Sequence, residues 1–85
     1  MSYWYNTNIF FGIWVSVVDS KNSNNANILM TIGIENANLS NLNFVVGYIE
    51  ITDPTIIGLL DHGLYIDCWE VVEELIIKDL KSIII

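Results

Sequence analysis

Reactive side chains crowd in one stretch of this sequence, Asp61-His62-Gly63 followed by Asp67-Cys68. Two chemistries would use these residue types. A metal centre would draw on His62, Cys68 and a carboxylate. Structural zinc takes four Cys/His-type ligands at recognisable spacings. The chain holds one histidine and one cysteine in all, so no metal and no other cofactor is expected. Nucleophilic catalysis would pair Cys68 with His62 as base, and a third group would have to orient that base. A helix N-terminus does lower a thiol pKa. A cysteine there, beside an apolar stripe, nevertheless reads more simply as packing. His62 next to Gly63 reads as a cap at the negative end of a helix. The expectation is a protein without enzymatic activity.

The carboxylates offer something else. Glu70, Glu73 and Glu74 share one helix, with Asp61 and Asp67 just ahead of it. General acid–base work needs carboxylates in a pocket with separated pKa values, which an exposed helix face does not provide. The glycines lie too far apart for a phosphate loop. Seven of the ten acids nonetheless fall between Asp53 and Asp79. The candidate partner-binding face is therefore Asp61, Asp67, Glu70, Glu73 and Glu74, and it suits a basic protein.

Several local elements must position these residues. Asp53 is a good helix N-cap, and Pro54 is tolerated at the first helical position because its missing N–H would be unpaired there. A helix of about two turns over 55–61 follows, closed by a left-handed Gly63. Leu64-Tyr65-Ile66 is either a short fourth strand or a plain link. Asp67 reads as the cap of the last helix, with Glu70 completing a capping-box-like pair. Its apolar stripe is Trp69, Val72, Leu75, Ile76 and Leu80. Glu70, Glu74 and Lys78 take the other face, with Glu74 and Lys78 a favourable i,i+4 pair. Asp79 falls inside the stripe by angle, so the helix is expected to fray or change course there. The apolar tail Ser82-Ile83-Ile84-Ile85 is either a last helical turn or a strand added to a neighbouring edge.

Upstream, three stretches read as strands: 9–18, 28–35 and 44–51. The first is rich in β-branched and aromatic residues, and its odd positions are uniformly apolar. The second turns Ile28, Met30, Ile32 and Ile34 inward. The third is ambiguous, because Glu50 shares a parity with Phe44, Val46 and Tyr48. Each carries one glycine: Gly12, Gly33 and Gly47. An antiparallel meander would set Gly12 opposite Gly33 or Ile34, and Gly33 opposite Gly47. That arrangement predicts a crease or bend across the sheet, since glycine within a strand marks a bulge, bend or close approach. Residues 19–27 are all turn chemistry, a long and mobile connector. Tyr3-Trp4-Tyr5 are too costly to leave wet and should pack on the sheet or on a second subunit.

The fold class that results is α+β in a single small domain over residues 1–85. It has a three-stranded antiparallel sheet, four-stranded if 64–66 adds a strand, with a short helix and a C-terminal amphipathic helix on one face. Hydrophobic residues make up 53% of the chain and mean hydropathy is +0.49, above the usual apolar share of about 45–50%. A small domain has too little interior for that excess. A contiguous apolar surface marks a partner, and a homo-oligomer, a dimer first of all, is the simplest one.

Ten acids stand against three lysines and no arginine, for a net charge of −7. This balance argues against nucleic acid as a partner, because binding phosphates needs clustered Lys/Arg, and equally against anionic membrane surfaces. A lone cysteine and the absence of a basic signal-peptide start favour a soluble, cytoplasmic protein. The longest early apolar run, 9–18, is about half of a membrane span. The leading functional expectation is a small acidic protein that acts by binding another protein, as inhibitors, immunity proteins and viral antagonists of host defence do. That parallel rests on size and charge alone. The alternative is a structural homo-oligomeric subunit, followed by a small-molecule-binding protein or enzyme.

Overall fold

A computed structural model describes residues 2–6, 14–22, 24–33 and 47–83. Among them the elements run β1 (Trp4–Asn6), β2 (Trp14–Val18), β3 (Ile28–Gly33), β4 (Tyr48–Glu50), α1 (Pro54–Asp61), α2 (Leu64–Asp67) and α3 (Trp69–Ile83). The strands form one antiparallel sheet in the order β3-β2-β1-β4. The fold is α+β, with an antiparallel sheet and a C-terminal helix, as the patterning implies.

The fourth strand is not the expected one. Tyr3-Trp4-Tyr5 do not pack on the sheet; they enter it, and β1 lies at its centre between β2 and β4. Alternation within this short segment divides its aromatics. Tyr3 and Tyr5 are buried in the core cluster, and Trp4 points to the other face. Leu64-Tyr65-Ile66, the other candidate strand, is a single helical turn, α2.

Inserting β1 dissolves the meander. β4 pairs with β1, Tyr5 opposite Ile49, and never with β3. Gly33 therefore lies opposite Trp14, at the far edge of the sheet from Gly47. Gly12 is outside the described residues. The predicted glycine crease does not form between Gly33 and Gly47. Gly47 instead precedes β4 at φ +144, a conformation that favours glycine.

One sheet face carries Val15, Val17, Tyr5 and Ile32, and the helices cover it with Ile56, Leu60, Val72, Ile76 and Leu80. Ile49 and Ile51 contribute to this core, which turns Glu50 outward and removes the ambiguity of the third strand. Ile28 departs from its expected inward side. A bulge between Val17 and Val18 pairs Ile28 with Val18, and that extra residue moves Ile28 onto the opposite face. On that face Ser16 is fully buried opposite Asn6 and Thr31. Ser16 Oγ and Trp4 Nε1 are buried without hydrogen-bond partners.

Hydrogen bonds between Asp19 and Asn27 tie the two ends of the connector after β2 together. Asp19 Oδ1 accepts from the Asn27 backbone N–H at 2.9 Å, and Oδ2 from the Asn27 side-chain amide at 3.0 Å. The Asp19 N–H reaches the Asn27 carbonyl at 3.3 Å. These bonds, the backbone one foremost, hold the Asp19 carboxyl below its ordinary value. Within the loop Asn22 Oδ1 accepts from Asn24 N–H at 3.0 Å, an Asx turn.

Candidate functional site

The residues with reactive side chains are placed by α1, α2 and the start of α3. Asp53 caps α1 as expected, its Oδ1 accepting from Thr55 N–H at 2.8 Å and from Ile56 N–H at 3.4 Å, with Pro54 in the first helical position. At the other end the His62 ring Nδ1–H donates to the Gly58 carbonyl at 2.8 Å, and Gly63 adopts φ +68. His62 is thus a helix cap, with one ring nitrogen committed to that task. Cys68 is exposed, not packed in the core. Among the described residues no group of three or more His, Cys, Asp or Glu side chains is arranged to hold a metal ion.

The start of α3 differs from the expectation by one residue. Asp67 is the last residue of α2 and not the cap of α3. Cys68 occupies the cap position, where its carbonyl accepts from Val71 N–H at 3.1 Å and Val72 N–H at 3.2 Å.

The five candidate acids separate into groups. Asp61 Oδ1 accepts the Tyr3 hydroxyl at 2.6 Å, so this carboxylate ties α1 to the strand end beside it. Burial, and after it the Asp61 carboxylate, push the Tyr3 phenol up to about 12. Asp67 stands exposed at the α2–α3 junction. Glu70, Glu73 and Glu74 are the three that come together, along a shallow open groove of about 300 Å3 that Trp69 and Ile77 complete.

Trp69 is the residue that sequence reasoning misplaced. At about 100° per residue it lies on the same line as Ile76 and Leu80, a position that predicts a place in the buried stripe. The core ends at Val72, however, and Trp69, one turn earlier, is 52% exposed. Leu64 (41%), Ile66 (68%) and Val71 (55%) are also exposed around this corner. The stripe position gave no warning, because angle is legible in sequence and the end of the packed layer is not.

Asp79 is the complementary surprise. It sits within the stripe, and α3 continues past it to Ile83 without fraying. Asp79 Oδ2 accepts the hydroxyl of Tyr5 at 2.6 Å, so the acid in the apolar stripe meets a phenol that crosses the core from β1. Burial first, and then this hydrogen bond, hold the Tyr5 phenol far above its ordinary range.

No protein-family model, curated protein or solved structure matches the chain. Among the described residues no helix is long and apolar enough to cross a membrane.

Proposed function

We propose that this chain is a non-enzymatic binding protein that captures a basic protein partner at the α2–α3 corner, in the manner of an inhibitor or immunity protein acting in the cytoplasm. The observation that carries the reading is the half-exposed Trp69, set in a groove with Glu70, Glu73 and Glu74. Tryptophan at the centre of an interface supplies a large share of the binding energy, about 2 kcal/mol or more on truncation. Carboxylates around such an anchor steer an oppositely charged partner and exclude like-charged ones. Ile66 and Val71 extend the apolar contact on either side of Trp69 in the chain. Asp67 belongs to the rim of this surface, whereas Asp61 serves the scaffold through Tyr3.

The test is capture from cells that express the chain, followed by titration of the purified partner. Trp69→Ala should weaken binding by about 30-fold, the equivalent of about 2 kcal/mol. Reversal of Glu70, Glu73 and Glu74 to lysine should abolish it. Retained affinity in both variants would reduce the acidic face to solvation.

A further inference from the structure

The acids of the α3 groove carry no counter-charge of their own. Among the described residues no donor reaches the carboxylates of Glu70, Glu73 or Glu74, and neither Lys78 nor Lys81 closes an ion pair with them. Glu70 and Glu74 are one turn apart, where like charges repel and cost the helix stability. The helix dipole rewards an acid in the first turn, which accounts for Glu70. That effect fades within the turn, so it does not account for Glu73 and Glu74. Glu73 is half-buried. It stands one turn on from Trp69 and one turn before Ile77, in a single row along the helix. An unpaired carboxylate between two apolar side chains suits a cation that brings its own apolar stem.

Lysine and arginine both have that build, a hydrocarbon stem with a charged head. A free metabolite fits less well, since the groove is shallow and its volume of about 300 Å3 lies at the bottom of the range for small-molecule pockets, about 300–1,000 Å3. Arginine matches the lining more closely than lysine does. Its flat guanidinium stacks on an indole face, makes two parallel hydrogen bonds to one carboxylate, and sheds water more readily than an ammonium. We propose that the basic partner is recognised through an arginine, its stem along Ile77 and its guanidinium stacked on Trp69 and paired with Glu73. Glu70 and Glu74, in the neighbouring row, add to the negative field that holds it. This recognition rests on the binding role given above to the α2–α3 corner.

Short alanine-based peptides carrying arginine, lysine or glutamine at the same positions, titrated to about 1 mM into the isotope-labelled full chain, test it by nuclear magnetic resonance. The chain has three tryptophans, and the Trp69 indole N–H signal is assigned by its loss in Trp69→Phe. The arginine peptide should move that signal and leave those of Trp4 and Trp14 in place. The lysine peptide should bind about fivefold or more weakly, and the glutamine peptide should not bind. Glu73→Gln should weaken the arginine peptide by about tenfold. Trp69→Leu, which keeps an apolar side chain and removes the π face, should weaken it by about fivefold. Both variants should keep the circular dichroism spectrum of the wild type. Equal affinity for the arginine and lysine peptides, or no shift of the Trp69 signal, would overturn the arginine and leave capture of a basic partner standing. A glutamine peptide that binds as well as the other two would overturn both.

Discussion

Tyr5 and Asp79 lie 74 positions apart in the chain, and their 2.6 Å hydrogen bond explains an acid that the helix pattern alone could not place. An acid within an apolar stripe predicts distortion only if nothing meets it. Here the partner arrives from β1, and no local pattern in either segment announces the other. Tyr5→Phe removes the donor and leaves a half-buried carboxylate short of a bond. It should cost about 1.5–3 kcal/mol in chemical denaturation, the range for hydrogen bonds to charged groups. Asp79→Asn keeps an acceptor and should cost less. A double-mutant cycle should return a coupling of about 1 kcal/mol or more, and simple additivity would show that the bond contributes nothing. The phenols also set a pH dependence. A group whose pKa is raised by folding stabilises fully below its unfolded value and loses that contribution as pH climbs towards the folded one. For Tyr3 the window runs from 10.0 to about 12, and for Tyr5 the loss begins at the same lower bound. Urea unfolding should therefore show stability falling above pH 10, and less steeply in Tyr5→Phe.

Elements were legible where their signals are local. Asp53-Pro54 and His62-Gly63 bracket α1 in the sequence, and the same residues cap it in the structure. The alternation of Val15, Val17, Met30 and Ile32 gave the β2–β3 pair and its inward face. Tyr3-Trp4-Tyr5 read as packing on the sheet and not joining it, because the three residues of Trp4–Asn6 are too few to show a strand period. Leu64-Tyr65-Ile66 misled because bulky apolar residues in so short a run fit strand and helix alike. Gly63 offers a direct test of the cap. Nothing lies within 4 Å of where its Cβ would sit, so Gly63→Ala meets only the backbone cost of φ +68, about 1 kcal/mol. Thermal unfolding should register that loss, and a neutral alanine would mean that the α1–α2 turn adopts another conformation.

At the scale of the molecule, the chain is a sheet with its helices gathered on one face and its acids gathered on those helices. Residue patterning foretold the fold class, and composition the acidity. The strand order was beyond both, since placing β1 between β2 and β4 depends on pairings between segments far apart in sequence. The proposed binding surface was half legible: Glu70, Glu73 and Glu74 follow from helical spacing, whereas the exposure of Trp69 depends on where the core ends. The sheet is a scaffold, Tyr3–Asp61 and Tyr5–Asp79 fasten the helices to it, and the α2–α3 corner is the proposed binding surface. The most direct measurement is the affinity of the purified chain for its captured partner, compared between wild type and Trp69→Ala over a range of salt. The account predicts an affinity that falls as salt rises and a loss of about 30-fold on removing the indole. An affinity indifferent to both salt and Trp69 would contradict it.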